Sequence, residues 1–321
     1  MKNFALIGAA GYIAPRHMKA IKETGNNLVA ALDKNDSVGI IDSFFPKADF
    51  FIEFERFDRH IDLIKRQGHK IDYVSIASPN YLHDSHIRFA LRNGAHAICE
   101  KPLVLTPKNI DGLAIVENET GCKIFNILQL RLHPSIIALK EQTEQVLTEY
   151  PDKIFDVDLT YITSRGHWYF TSWKGEDAKS GGIATNIGVH FYDMLSWVFG
   201  DLKRSHVHLS QKDTASGYLE FTSARVRWFL SVNGAYIPET IKSQGQRTYR
   251  SIIVDGNEVE FSDGFTDLHT TSYQKILAGK GFVLEEAKKA IEIVTTIRNA
   301  ELSPLLADYH PFAARVKSRI L

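Results

Sequence analysis

An alternation of short apolar runs with amphipathic segments fills the N-terminal part of the chain and limits its fold more than any other feature. The apolar runs, which we predict to be strands, are Phe4–Ile7, Leu28–Leu32, Asp49–Ile52, Ile71–Ala77, Ala95–Cys99 and Ile124–Leu128. The segments of helical spacing between them are Pro15–Thr24, Phe57–Arg66, Ser85–Arg92 and Ile110–Glu117. Nearly unbroken apolar strands that alternate with helices predict a parallel sheet covered on both faces.

The pattern changes after Gln129, where a predicted helix over Ile136–Val146 is followed by segments of period two. These segments are Phe155–Thr163, His206–Ser210, Gly217–Phe221, Arg225–Val232, Ser251–Val254 and Glu258–Phe261. Further helices are predicted over Asn186–Phe199 and Leu284–Arg298. We therefore predict an α/β domain over residues 1–125 and an α+β domain with an open, mostly antiparallel sheet over residues 126–321.

Composition excludes several classes of partner. The 321 residues carry 38 Lys and Arg against 38 Asp and Glu, so no net charge favours nucleic acid or an anionic membrane. The apolar runs are too short to span a bilayer and the N-terminus lacks a signal-peptide pattern, so we expect a cytoplasmic protein. Two cysteines form no disulfide framework, and the pairs His83 with His86 and His206 with His208 lack a third ligand, so no metal site is predicted.

A glycine-containing turn joins the first predicted strand to the first predicted helix. Its sequence is Gly8-Ala9-Ala10-Gly11-Tyr12-Ile13-Ala14, a variant of the fingerprint in which small residues let the backbone approach a pyrophosphate. We predict that the cofactor contacts Gly8, Ala10, Gly11, Tyr12 and Ile13. This motif favours a Rossmann-type dinucleotide site, although a tight strand-to-helix turn without a ligand has the same appearance.

Asp33 ends the second predicted strand at the separation expected for a residue that binds the adenosine ribose. A carboxylate there accepts hydrogen bonds from the ribose hydroxyls and repels a 2′-phosphate, which favours NAD over NADP. The neighbouring Lys34, also predicted to contact the cofactor, weakens that preference. Asp33 is also a common turn residue after a strand.

Two loops follow strands at the edge where ligands of an open parallel sheet bind. The loop that begins at Ser78 supplies Ser78, Asn80 and His83 as candidate cofactor contacts, but Asn80 is equally suited to capping a helix. The second loop is Glu100-Lys101-Pro102, in which we predict that Glu100 and Lys101 contact the cofactor. A lysine beside a rigid proline is also suited to proton transfer.

Together these motifs resemble the Gfo/Idh/MocA family of nicotinamide-dependent sugar oxidoreductases over the whole chain. The most specific motif is Glu100-Lys101-Pro102, and Gly181-Gly182 followed by Asn186 and His190 matches the second domain. The family usually has Asp where this chain has Asn186. Within the family, the stretch Gln129-Leu-Arg131-Leu-His133-Pro134 is similar to the subgroup that oxidises UDP-2-acetamido-2-deoxy-D-glucuronic acid to its 3-keto form in O-antigen pathways.

The resemblance implies NAD as cofactor, Gln129 as a cofactor contact, and Lys101 and His190 as the catalytic pair around the reacting carbon. Alcohol oxidation needs a base at the hydroxyl, and either group is suited to the task. We favour His190 because imidazole titrates near neutrality, with Lys101 bonded to the C3 oxygen. Without the resemblance, His190 on an apolar helix is more typical of a buried structural histidine than of a catalytic one.

A nucleotide-sugar acid carries a diphosphate and a carboxylate, which favour cations in the site. The residues that we predict to contact substrate are Lys101, Arg131, His133, Arg165, Tyr169, Lys174, Asn186 and His190. Arg165 and Lys174 are also typical of ordinary surface charge. The resemblance further implies a homodimer or homotetramer, and some members of the subgroup reduce 2-oxoglutarate to recycle NADH.

Three other functions stay open at this point. The first is another sugar or inositol dehydrogenase of the same family, which acts on a substrate without a nucleotide. The second is a non-catalytic NAD sensor, against which the joint presence of Lys101 and His190 counts. The third is a scaffold with an empty nucleotide fold, which predicts no thermal shift with NAD.

Overall fold

The computed structural model describes residues 1–260, 267–305 and 308–317. Its strands are β1 Asn3–Ile7, β2 Asn27–Leu32, β3 Asp49–Phe51, β4 Tyr73–Ile76, β5 His96–Cys99, β6 Ile124–Asn126, β7 Phe155–Thr163, β8 Leu202–Ser210, β9 Thr214–Phe221, β10 Ala224–Ser231, β11 Thr248–Val254 and β12 Asn257–Glu258. Its helices are α1 Ala14–Glu23, α2 Phe54–Arg66, α3 His83–Arg92, α4 Pro107–Thr120, α5 Pro134–Glu149, α6 Trp168–Thr171, α7 Asp177–Ser180, α8 Gly182–Asn186, α9 Val189–Phe199, α10 Glu239–Lys242, α11 Leu268–Leu277, α12 Leu284–Asn299 and α13 Pro311–Lys317. In this part of the chain, no helix combines the length and the apolar character that crossing a bilayer requires.

The chain divides into two compact units. The first consists of Met1–Gln129 and the described part of Phe265–Lys288, and the second consists of the described parts of Leu130–Gly264 and Lys289–Leu321. The first unit holds a six-stranded sheet in the order β3-β2-β1-β4-β5-β6, with every neighbouring pair parallel. This order reverses between β1 and β4, which is the point where such sheets bind ligands at the carboxyl ends of their strands.

The sequence pattern does not predict helix α11, and the predicted domain boundary places its segment in the second domain. Its Tyr273 is fully buried in the core of the first unit, with its ring 5.9 Å from that of Phe4 on β1. Ile276 is buried in the same core. The helix carries an apolar face, but only its packing shows which unit that face covers.

The second unit also contains a six-stranded sheet, in the order β12-β11-β7-β10-β9-β8. All neighbouring pairs are antiparallel except β10 and β7, which run parallel, so the predicted mostly antiparallel sheet is confirmed. The predicted helix over Asn186–Phe199 corresponds to α9, which begins at Val189, whereas Asn186 is the last residue of α8. Gly188 lies between them, and a Cβ there would lie 2.4 Å from the carbonyl oxygen of Ala184. For the last predicted strand, Glu258–Phe261, Phe261 lies outside the described residues.

His310 is a buried histidine of the second unit that makes stability depend on pH. Its Nε2 lies 3.0 Å from Oγ1 of Thr160. Burial, together with the positive charges of Arg227 and Arg315, lowers the pKa of His310 to about 3. In the unfolded chain the same imidazole titrates near 6.5.

We expect the free energy of unfolding to fall as the pH decreases from about 6.5 to about 3. In this range His310 binds a proton in the unfolded chain but stays neutral in the folded chain. His310 alone accounts for a slope of about 1.4 kcal/mol per pH unit in this window. In His310→Gln, urea unfolding measured at several pH values should show a correspondingly shallower slope. An unchanged slope in the variant would mean that His310 is already protonated in the folded protein.

Candidate active site

Gly8 brings two loops of the first unit together at the edge of the sheet. It follows β1 and has φ +93°, a left-handed conformation that favours glycine. A Cβ at this position would lie 2.6 Å from the backbone of Ala77 and Ser78, directly after β4. Any larger residue would therefore push apart the two loops that border the predicted cofactor site.

The remainder of the glycine turn fits a bound dinucleotide. No described side chain caps the N-terminus of α1, so the positive end of the helix dipole there is suited to an anion. The side chain of Tyr12 is 91% exposed, and Ile13 is half-buried. The carboxylate of Asp33 accepts a hydrogen bond from the backbone N–H of Ala10 at 3.0 Å. This bond holds the side chain that we predict to bind the ribose against the glycine turn. Lys34 is exposed beside it.

Gln129 supplies a second indication of a ligand at this edge. Its Oε1 is buried and has no hydrogen-bond partner among the described residues. A buried polar atom without a partner is costly, and a bound molecule with a donor group would remove that cost. The unpartnered oxygen of Gln129 and the N-terminus of α1, which no described side chain caps, are both features that a bound NAD would satisfy.

The loop after β4 is held from inside by a histidine. The ring of His83 is fully buried, and its two nitrogens lie 2.8 Å from the carbonyl oxygens of Pro102 and Ser78. Both ring nitrogens of His83 are engaged in these contacts, so the ring ties the loop after β4 to the loop after β5 and does not present a nitrogen to the predicted cofactor. Ser78 is bonded through Oγ to Nδ1 of His86 at 2.9 Å, and Asn80 is buried.

Lys101 follows β5 and is half-buried, in a Lys101-Pro102 segment with a cis peptide bond. The side chain of the preceding Glu100 is buried. Burial alone raises the pKa of this carboxyl, but hydrogen bonds from His17 and His269 outweigh that effect and leave the pKa well below its usual value. Glu100 is therefore an ionised carboxylate next to the predicted catalytic amine.

Four residues around Glu100 were missed by the sequence analysis. They come from β4, α1 and α11, and they are Ser75, His17, His269 and Tyr273. No motif marks them, since each is separated from Glu100 along the chain by other elements. The signal that the sequence offered was a histidine on each of two helices, His17 on α1, which was predicted, and His269 on α11, which was not.

In the second unit, His190 is the second residue of α9 and is half-buried. One helix earlier, Asn186 is buried and donates from Nδ2 to the hydroxyl of Tyr169 at 3.0 Å. Two of the predicted substrate residues are thus brought together. Tyr169 is itself only 1% exposed, so its ring supports Asn186 within the described structure.

Arg131 differs most from its predicted role as a cation that binds substrate. Its guanidinium makes a two-point contact with Asp193 on α9, with distances of 2.9 and 2.7 Å. Both side chains are buried. A carboxylate of this chain thus already compensates the charge. His133 caps α5 by accepting a hydrogen bond from the N–H of Ser135 at 3.3 Å.

The loop after β7 holds the other two predicted cations. Nζ of Lys174 lies 4.1 Å from the ring centre of Trp173 and 6.0 Å from that of Trp168. Burial lowers the pKa of Lys174, and the charge of Arg165 lowers it further. Arg165 is exposed. Two nearby cations, one of them partly desolvated, favour an anionic ligand.

Comparisons with known proteins agree with this arrangement. Residues 2–127 match the model of an oxidoreductase family with an NAD-binding Rossmann fold, and residues 152–244 match the family's C-terminal alpha/beta domain. The chain belongs to the Gfo/Idh/MocA oxidoreductase family. The predicted family and fold class are thereby confirmed, with NAD as the cofactor of its first domain.

Two solved structures of the WlbA (WbpB) dehydrogenase from Thermus thermophilus are 53% identical to this chain, with a TM-score of 0.92. The likeness covers 97% of this chain and 100% of that one. One structure contains NAD and alpha-ketoglutarate, and the other contains NAD and UDP-GlcNAcA. The WlbA dehydrogenase from Bordetella pertussis shares the fold, with a TM-score of 0.74 and 19% identity over 96% of this chain and 98% of that one.

Among curated proteins, the D-glucoside 3-dehydrogenase of Escherichia coli (strain K12) is 28% identical over 146 residues, which are 44% of this chain and 40% of that protein. The inositol 2-dehydrogenase of Rhizobium meliloti (strain 1021) is 28% identical over 202 residues, 62% of this chain and 55% of that protein. This chain thus matches about half of the length of these relatives.

Proposed function

We propose that this protein uses NAD to oxidise the C3 hydroxyl of UDP-2-acetamido-2-deoxy-D-glucuronate to a ketone, a step of O-antigen biosynthesis. The observation that carries the proposal is the 53% identity, over nearly the whole chain, to a dehydrogenase whose structures hold NAD with UDP-GlcNAcA or with alpha-ketoglutarate. The relative that acts as a D-glucoside 3-dehydrogenase supports chemistry at C3 of a pyranose.

In this proposal, NAD supplies a hydride acceptor when bound at the edge of the parallel sheet. Lys101 and His190 bind the C3 oxygen, and one of them takes the hydroxyl proton. We assign the proton to His190, because an imidazole is largely neutral near pH 7, and the hydrogen bond from Lys101 stabilises negative charge that develops on the oxygen. The amide of Asn186, held by Tyr169, orients a sugar hydroxyl.

The anionic groups of the substrate need cations that are not already neutralised. Lys174 and Arg165 meet this condition better than Arg131, because Asp193 already binds Arg131. We therefore assign the carboxylate or diphosphate of the substrate to Lys174 and Arg165. A homodimer or homotetramer in the cytoplasm stays a prediction.

The test is to incubate the purified protein with NAD and UDP-2-acetamido-2-deoxy-D-glucuronate, and to follow NADH by absorbance and the sugar by mass spectrometry. We expect a product lighter by two hydrogens, and no turnover with free glucose or free inositol. With 2-oxoglutarate added, we expect 2-hydroxyglutarate to appear and NADH not to accumulate. This arm tests whether NADH is reoxidised in place.

The matched control substrate is UDP-N-acetylglucosamine, which keeps the nucleotide but lacks the carboxylate. Turnover of inositol or glucose without turnover of UDP-sugars would overturn the substrate assignment and favour a dehydrogenase of unactivated sugars, such as the inositol 2-dehydrogenase among the relatives. Binding of NAD without turnover of any sugar would favour a sensor.

A further inference from the structure

A chain of buried polar side chains ends at Glu100. We call it the Glu100 cluster, and its members are Ser75, Tyr273, His17, Glu100 and His269. Oγ of Ser75 lies 2.6 Å from the hydroxyl of Tyr273, which lies 2.7 Å from Nδ1 of His17. Nε2 of His17 and Nε2 of His269 lie 3.1 and 2.7 Å from the same oxygen, Oε1 of Glu100. All five side chains belong to the first unit and are buried.

From Ser75 through Tyr273 and His17 to Glu100, donors and acceptors match when every hydrogen bond points toward Glu100. Burial lowers the pKa of His17 despite its bonds to Glu100, so its imidazole is neutral. The hydroxyl of Tyr273 then donates to Nδ1 of His17, and Nε2–H of His17 donates to the carboxylate. Because Tyr273 donates to His17, it accepts from Ser75. Such a one-way chain sets a single tautomer for His17.

The main chain of Glu100 is also fixed on both sides. Its N–H donates to the carbonyl of Ile76 at 2.9 Å. Nδ2 of Asn126 donates to the carbonyl oxygens of Cys99 at 2.9 Å and of Glu100 at 3.3 Å. The second carboxylate oxygen of Glu100 accepts from the backbone N–H of Lys101 at 3.3 Å. The backbone that carries the Lys101 amine is therefore tied to the carboxylate that the imidazoles hold.

We propose that Glu100 is a positioning residue for Lys101, and that His17 on α1 and His269 on α11 hold its carboxylate in the one orientation that aligns the Lys101 main chain. This inference rests on the proposed role of Lys101 at the C3 oxygen. The proposal gives a part in positioning the catalytic lysine to two helices, α1 and α11, that lie far from the Glu100-Lys101-Pro102 motif along the chain.

Stability alone is a poor explanation for the cluster. Replacing a buried charged network with apolar side chains of similar volume is often neutral or stabilising, so such a network is weak evidence of a purely structural role. Glu100, to which the cluster is bonded, also directly precedes the candidate catalytic lysine, at the carboxyl end of β5 where ligands bind. Perturbed buried carboxylates collect at such functional sites.

The test compares two replacements of His269. Glutamine keeps an N–H donor close to the position of Nε2, whereas leucine removes it. We expect His269→Leu to lower kcat by at least about tenfold, a loss typical of a displaced catalytic group, with the Kd for NAD and the KM for substrate little changed. We expect His269→Gln to recover most of the kcat.

The matched control is the same pair of replacements at His310, a buried histidine of the second unit bonded to Thr160. Both His310 variants should keep the wild-type kcat per folded molecule. Should His269→Leu fail to fold, Glu100→Asp and Tyr273→Phe replace it. The first moves the carboxylate away from the imidazoles, and the second removes the donor to His17. Each should lower kcat without weakening NAD binding.

Three kinetic or binding results would overturn the proposal. They are an unchanged kcat per folded molecule in all cluster variants, an equal loss in His269→Gln and His269→Leu, and a loss of NAD binding that accounts for the loss of activity. Stoichiometric zinc in the purified protein would also overturn it, because the ligand atoms of His17, Glu100 and His269 lie within 4.8 Å of one another.

A parallel Lys101→Met variant separates failure of this proposal from failure of the proposed function. If Lys101→Met is inactive while the cluster variants keep full activity, only the positioning role is wrong. If Lys101→Met is fully active, the proposed role of Lys101 is wrong. If wild-type enzyme turns over a different sugar, the same comparison is made with that sugar.

Discussion

Lys101→Met and His190→Asn are each expected to lower kcat by at least about a hundredfold, while NAD binds as it does to the wild type. Methionine fills the space of the lysine stem but cannot bond to the substrate oxygen. Asparagine keeps a polar side chain but cannot take a proton near neutral pH. Steady-state kinetics with the UDP-linked uronic acid and NAD titrations by fluorescence check the two parts of this expectation.

Controls for these variants come from residues of the same type outside the candidate site. Lys108→Met changes an exposed lysine of α4, and His206→Asn changes a half-buried histidine of β8. Both should retain wild-type kcat. Full activity in Lys101→Met or in His190→Asn would show that the residue concerned has no essential part in proton transfer, and the other would then be the base.

Arg131→Met is expected to destabilise the protein by about 3–5 kcal/mol, because it removes the guanidinium that compensates the buried charge of Asp193. The side chain of Asp193 is 3% exposed, so solvent cannot replace the guanidinium. Urea unfolding should therefore show a much lower midpoint. If Arg131 instead binds substrate, the dominant effect would be a raised KM with little change in stability.

A double variant distinguishes a buried ion pair from a substrate contact. Arg131→Met combined with Asp193→Leu removes both charges, and we expect it to recover most of the stability that the single variant loses. Lys174→Met serves as the comparison for substrate binding. It should raise KM for the UDP-linked uronic acid and leave the midpoint of urea unfolding nearly unchanged. If Arg131→Met instead raised KM and Lys174→Met lowered the midpoint of urea unfolding, Arg131 would be the substrate contact and Lys174 the structural residue.

Much of the candidate site was predictable from sequence because its motifs are contiguous. Gly8 and Gly11 mark the turn after β1, and Lys101 beside Pro102 marks the loop after β5. Each of these positions follows an apolar strand, and the carboxyl ends of parallel strands meet at one edge of a sheet. The hydrophobic pattern that identifies the strands and the position of the motifs after them therefore predict the edge of the sheet where the cofactor binds.

Side-chain partners were not predictable in the same way. Arg131 looked available for an anionic substrate because nothing in its surrounding sequence identifies Asp193 as its partner. His83 looked like a cofactor contact because its complete burial between two loops depends on packing. A single charge or imidazole has the same appearance in sequence whether it faces a ligand or a buried neighbour.

The sequence by itself determined the alternation of strands and helices in the first unit, the mostly antiparallel sheet of the second, the glycine turn, and the loop that carries Lys101, because each depends on the spacing of neighbouring residues. Tertiary structure alone decided that α11 packs into the first unit and that its His269 meets His17 at Glu100. Hydrogen bonds and ion pairs between residues far apart in sequence arise only when the chain folds. The fold, not local spacing, therefore determines which predicted charges remain able to act on a ligand.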